Sequence, residues 1–524
     1  MLSALTLTAC SDDKIVGDEP KDWSSSIELL NITEDNAYTT YFKPAVGNVG
    51  DPMPFFDPVT EDFKILYLQE YPGGNDKYNY HPFHGVSTTD AVTYTGMGEV
   101  LPTGKSKDEA DAALGTGCAI YNEDDGLYYI YYTGHKDYNN KEVVMRATSP
   151  DFITWTKDVT WKLNGADYNL SDKVFRDPCI FMGDDDLWHM VISSDLRFAE
   201  FTSDDLVNWE FECDFPMVWD RMCECPDVFK MGDWWYLVYS DAKKENFARK
   251  VKYFKAKTWN ELKDCFRDPG AHWPDWKEGV LDSRALYAGK TASNGNDRYL
   301  WGWTPYRSGK DFDELNTNVG AGKDKEPNWS GALVCHKVEQ DKDGNLIMCK
   351  VPGMDAKYNK TIDVKVMEKT EDYTLYSRLG KHNHISFTIK TTGDEDPFDI
   401  SFVRGTVKVK KFDEETGKDT VVIENVKNYY SLRVNPEGPS YRKVNFWQNG
   451  AENPFIEGAD GYNFPRPEDN VYNIDIYTDN SVVTMYINGK FGITQRIYGL
   501  MRNCWSINTY GKQMEVTNLT VTEY

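Results

Sequence analysis

The sequence predicts an all-β protein, a five-bladed β-propeller followed by a C-terminal β-sandwich. The first observation behind this is a repeat. Ser-Thr-Thr-Asp-Ala-Val-Thr-Tyr (87–94), Ser-Pro-Asp-Phe-Ile-Thr-Trp (149–155) and Ser-Asp-Asp-Leu-Val-Asn-Trp (203–209) each lie between strand-like runs, and Asp90, Asp151 and Asp205 stand 61 and 54 residues apart. A period of that size, made of short strands and turns, is how propeller blades look in sequence. The second is aromatic β-rich runs such as Gly126-Leu-Tyr-Tyr-Ile-Tyr-Tyr-Thr and Trp234-Trp-Tyr-Leu-Val-Tyr-Ser, which suit inner strands. The third is a change of texture after Val351-Pro352-Gly353, where Trp becomes scarce and strict alternation begins, as in Val471-Tyr-Asn-Ile-Asp-Ile-Tyr.

Taken in order, residues 1–35 read as a signal and tether. Met1 to Cys10 is a short apolar run, and its ending Leu7-Thr8-Ala9-Cys10 resembles a bacterial lipobox. That resemblance implies lipidation at Cys10, export, and attachment to the outer membrane or cell surface. Five blades then occupy 36–352. A sustained helical period is missing there, apart from a short helix expected near Asp241 to Arg249. Residues 360–524 read as the sandwich, with Asp479-Asn480 and Asn488-Gly489 as turns; Asn-Gly supplies the positive φ that a type I′ hairpin needs. Glu123-Asp-Asp-Gly, Gly183-Asp-Asp-Asp and Asp341-Lys-Asp-Gly could pass for calcium loops, but between strands they read as hairpin turns.

Composition narrows the function. The 524 residues hold 58 Lys+Arg against 84 Asp+Glu, a net charge of −26, which argues against a nucleic-acid partner and against docking by a basic face on anionic lipid. Aromatic residues make up 14 %, and on an acidic, Gly-rich chain they suit stacking on flat, uncharged ligands such as sugar rings. Beyond Cys10, nine scattered cysteines, with no Cys-x-x-Cys pair, form neither a disulfide framework nor a zinc site and read as small buried hydrophobes.

Hydrolysis of a glycosidic bond needs two carboxyl groups, one ionised and one protonated. Three acids stand out by position. Asp51, in Gly47-Asn-Val-Gly-Asp-Pro-Met-Pro, and Asp177, in Phe175-Arg-Asp-Pro-Cys, each form an Asp-Pro pair leading into a strand. Glu224, in Met222-Cys-Glu-Cys-Pro-Asp, is flanked by sulfur, which would favour its protonated form. Three acids that open inner strands of different blades would converge on one axis.

Asp-Pro, Arg-Asp-Pro and Glu-Cys-Pro, in that order and before a β-sandwich, resemble glycoside hydrolase family 32, the fructan hydrolases and invertases. Gly115-Thr-Gly-Cys-Ala, Leu281-Asp-Ser-Arg-Ala-Leu-Tyr-Ala, Trp301-Gly-Trp303 and Gly492-Ile-Thr-Gln-Arg-Ile-Tyr also have counterparts there. The resemblance implies Asp51 as nucleophile, Glu224 as acid/base and Asp177 as transition-state stabiliser. It further implies substrate contacts from Arg176, Gln69 and Trp303, with fructan or fructo-oligosaccharide as substrate and neither cofactor nor metal. The first motif departs from the family's usual Trp-x-Asn-Asp-Pro-Asn-Gly: Gly50 and Met53 replace the two Asn, and the Trp is absent. Two other readings therefore stay open. One is hydrolysis of a different furanoside, such as an arabinofuranoside; the other is a non-catalytic, fructan-binding surface lipoprotein.

Overall fold

The computed structural model describes residues 38–524 except 72–80, 137–140, 218–221, 242–249, 268–278, 306–328, 395, 403–404, 414, 427–429, 439–442, 449–460 and 498–503. Cys10 lies outside these, as does nearly all of the helix expected near Asp241 to Arg249. By internal contact the chain forms two units. One joins Asp35–Lys357 to the hairpin segment Val482–Arg496; the other holds Tyr358–Ser481 and Ile497–Tyr524.

The first unit is a propeller of five four-stranded antiparallel blades among the described residues. Their inner strands are Asn48–Asp57, Ala113–Asn122, Arg176–Met182, Cys223–Met231 and Tyr287–Ser293. Each inner strand lies against the next, and the fifth returns to the first. The ring is closed by pairing of blades five and one at Val49–Gly331, with a further bridge between Phe42 and Leu333. Aromatic-rich clusters fill the space between neighbouring blades, for example Tyr131, Phe175, Phe201 and Trp209.

The repeat motif is the turn that links the third strand of a blade to its fourth. Asp90 Oδ1 accepts the N–H groups of Val92 and Thr93 (2.8 and 2.6 Å), and Asp151 and Asp205 do the same two and three residues on. The residue after each aspartate takes positive φ: Ala91 58°, Phe152 60°, Leu206 59°. Carboxylate capture of two amides offsets that backbone cost. Blade four puts a helix, Trp259–Arg267, at this point. Thr258 and Glu261 form a reciprocal capping box at its start, a Thr-x-x-Glu signal that is local to the sequence.

The hairpin Val482–Arg496 turns at Asn488-Gly489, with φ of 54° and 70°, as its sequence predicts. Its Thr494 donates N–H and hydroxyl to Asp282 (2.8 and 2.6 Å) and accepts from Ser283 (2.7 Å). Two motifs that stand far apart in the sequence, around Asp282 and around Thr494, are therefore partners. The sequence boundary places this hairpin in the sandwich; its contacts group it with the propeller.

The second unit is a sandwich of two antiparallel sheets. One contains Lys360–Thr361, Met514–Glu523, His382–Thr391 and Val471–Asp479 in that order. The other runs Val366–Lys369, Tyr373–Tyr376, Trp505–Asn508, Phe398–Phe402, Tyr430–Val434, Val444–Gln448. Period-2 burial drives it: Ile385, Phe387 and Ile389 face inward with Tyr472, Ile474 and Ile476 from the paired strand. Among the described residues, no helix is long and apolar enough to cross a membrane. Cysteines 118 to 504 are all free thiols, and seven of the nine are buried.

Candidate active site

Every inner strand breaks register at the same level of the propeller. The bulges fall at Val49/Pro52, Gly115/Gly117, opposite Arg176–Cys179, at Glu224/Asp227 and at Tyr287/Lys290. A bulge leaves a residue out of the ladder and re-aims its side chain. Pro178 and Pro226 sit within two of these breaks, where a missing N–H costs no ladder bond, and Pro52 closes the first, paired with Tyr67. Asp177 (φ 61°), Cys225 (52°) and Ala288 (52°) take left-handed conformations there. The five bulges turn Asp51, Thr116, Asp177, Glu224 and Tyr287 onto one cavity of about 420 Å³.

Asp51 is fixed chiefly by two short hydrogen bonds, Thr116 Oγ1 to Oδ2 at 2.7 Å and Trp303 Nε1 to Oδ1 at 2.8 Å. Burial pushes its carboxyl above the usual carboxylate range; these donors oppose the rise, and the charge of Glu224 adds to it. Thr116 is presented by a bulge between two glycines, and a Cβ on Gly117 would lie 2.4 Å from the Tyr131 carbonyl oxygen. The Gly117 N–H donates to Met53 Sδ at 3.0 Å, so the Met of the divergent first motif is buried and braces this bulge.

Asp177 is buried, and its Oδ2 accepts the Cys225 N–H at 2.9 Å. Burial raises its carboxyl to about 7; Arg176 pulls it down, while Asp51 and Glu224 push it up. Glu224 accepts from the Tyr287 hydroxyl at 2.6 Å and lies 3.6 Å from Arg176 Nη1. Arg176 also pairs through Nε with Glu142 Oε2 at 3.0 Å, and His135 Nδ1 is 3.4 Å from the other Glu142 oxygen. Burial and the Arg176 charge push His135 down to about 3, so it is neutral at working pH.

The structure brings together Asp51, Asp177, Glu224 and Arg176 on the cavity and moves three other expectations. Gln69 is not among the lining residues; its amide nitrogen donates to the Val46 and Glu70 carbonyls, at 2.9 and 3.0 Å, holding the chain that enters blade one. Trp303 is fully buried and orients Asp51 rather than forming cavity wall. The sulfurs do not wall Glu224, because Cys223 packs into the core between blades three and four and Cys225 turns toward Asp51. Strand alternation sends the neighbours of a cavity-facing residue elsewhere. Thr116 and Tyr287, which fall in two of the segments with family counterparts, also line the cavity, as do His135, Glu142, His81 and Trp329, which no motif in the sequence singles out.

Two family models match the chain. The Glycosyl hydrolases family 32 N-terminal domain spans 41–334, more than half of the chain and including all three acids; the GH32, BT1760-like, C-terminal domain spans 344–521. The chain belongs to glycoside hydrolase family 32. It is a glycosidase, all-β as the sequence predicts. A search of curated proteins gave no match. Among solved structures, fructofuranosidase from Schwanniomyces occidentalis complexed with fructose superposes with a TM-score of 0.65 at 15% identity, covering 94% of this chain and 99% of that one. Exo-inulinase from Aspergillus awamori gives 0.65 at 15%, covering 94% and 99%. A variant of fructan 1-exohydrolase IIa from Cichorium intybus in complex with 1-kestose gives 0.62 at 14%, covering 93% and 97%. At these identities the likeness is one of fold.

Proposed function

We propose that this family 32 glycosidase cleaves β-fructofuranosidic bonds of fructans such as levan, inulin or fructo-oligosaccharides, with retention of configuration. The observation that carries the reading is three carboxyl groups from three blades on one cavity, each held differently. Asp51, gripped by Thr116 and Trp303, attacks the anomeric carbon. Glu224, bonded to Tyr287 and near Arg176, protonates the leaving oxygen and later deprotonates the water that releases the sugar. Asp177 holds ring hydroxyls as positive charge develops. Retention places the attacking and protonating carboxyls about 5–5.5 Å apart. The similar structures are a fructofuranosidase, an exo-inulinase and a fructan exohydrolase, which favours fructose as the sugar recognised. Leu7-Thr8-Ala9-Cys10 supports export and lipid attachment at Cys10, at the outer membrane or cell surface.

The test is product analysis on levan, inulin, sucrose and an arabinan, with Glu224→Gln as control. Fructose or fructo-oligosaccharides from the parent alone is the expected result. Release from arabinan only, or sugar binding without any hydrolysis, would overturn it in favour of another furanosidase or a binding protein.

A further inference from the structure

Gly50 precedes Asp51, and a Cβ at that position would lie 2.2 Å from Cη2 of Trp329 and within 2.9 Å of Cζ2 and Cζ3. Side chains do not pack that closely, so with a side chain at 50 the indole at 329 could not keep this position. Trp329 comes from blade five, ahead of the strand Gly331–Gln340, and is half-buried. Its ring stacks on His81, with centroids 4.6 Å apart and planes at 24°, and lies 6.0 Å from the ring of Trp303, the residue that holds Asp51. His81 is itself anchored to Glu70 by a 2.5 Å contact. Trp329 and His81 both line the cavity that contains Asp51. A braced, flat apolar surface therefore stands beside the reacting carboxylate, and it exists because residue 50 is glycine.

We infer that Trp329 is a specificity-determining residue: its indole is the wall on which the C–H face of the bound furanosyl ring rests, and Gly50 is the condition for its being there. The inference rests on the proposed furanosidase activity and adds the surface that selects the sugar. A hydroxyl-rich ring offers an apolar face that an aromatic wall can bind, while the acids and Arg176 take its hydroxyls. The wall binds ground state and transition state alike, so its loss acts on KM.

The experiment compares Trp329→Ala, Trp329→Phe, Gly50→Ala and the Gly50→Ala/Trp329→Ala pair on the substrate the parent turns over best. Thermal melts identify the variants that fold. Trp329→Ala is expected to raise KM about tenfold with kcat within about threefold, and Trp329→Phe to restore most of the loss. Gly50→Ala should raise KM similarly, and the pair should be no worse than the worse single variant, because both changes remove one wall. An unchanged KM in Trp329→Ala, or effects that multiply in the pair, overturns the inference. A parent that hydrolyses no fructoside refutes the proposed function alone. Calorimetric titration with free fructose and arabinose then reads the wall directly: binding by the parent that Trp329→Ala weakens supports it, while equal binding or none refutes it. Trp329→Leu, which removes the flat ring but keeps apolar bulk, serves the same comparison should the Ala variant not fold.

Discussion

The thiol of Cys225 lies 3.6 Å from Oδ2 of Asp51, while its own N–H donates to Asp177. The residue after Glu224 thus touches both of the other acids, across three blades. Burial and the adjacent carboxylates hold that thiol well above its usual range, so it stays protonated and serves as a weak donor to Asp51. Cys225→Ser supplies a stronger donor and should move the acid limb of kcat/KM to lower pH, by about half a unit; Cys225→Ala should move it up. A pH–rate profile decides, and coincident acid limbs in all three proteins would refute the coupling.

Asp51→Asn and Glu224→Gln should each cost at least about a thousandfold in kcat while leaving the melting temperature and far-ultraviolet dichroism close to those of the parent. Residual turnover above about one per cent in either variant would remove that residue from the proposed pair. Mass spectrometry of a trapped glycosyl-enzyme should locate the sugar on the peptide containing Asp51.

Asp177 should trade stability for function. Its folded carboxyl is raised to about 7 from an ordinary value of 3.8. The folded state therefore holds the proton more tightly than the unfolded chain. That contribution is complete below about pH 4 and is lost as pH rises through about 7. Asp177→Asn removes the charge, so it should raise the melting temperature by about 2–4 °C at pH 8, with the gain shrinking toward pH 4. Activity should fall by at least about a hundredfold in the same variant. Thermal scans from pH 4 to 8 check the sign.

Gln69 separates a structural role from a binding one. Its amide donates to main-chain carbonyls in the entry to blade one. Gln69→Ala leaves two acceptors without that donor and should cost about 1–3 kcal/mol of stability, with KM changed less than about twofold. A large rise in KM in a fully folded variant would return Gln69 to the substrate.

Local chemistry determined much of this protein in its sequence. The Asp turns at 90, 151 and 205 follow from carboxylates capturing amides two and three residues on. The period-2 core of Ile385, Phe387 and Ile389 follows from strand geometry. Asp51, Asp177 and Glu224 were legible because the proline beside each bulge is itself a local signal. Tertiary structure decided the rest. Closure of the ring brings Trp303 and Thr116 to Asp51, Tyr287 to Glu224, and Trp329 against Gly50 across 279 residues of chain. None of these contacts leaves a local mark, because each depends on which blades meet and how a bulge aims the side chain. The turn of Cys225 toward Asp51, rather than toward its neighbour Glu224, is decided the same way, by a register break and a positive φ that only the folded ladder sets.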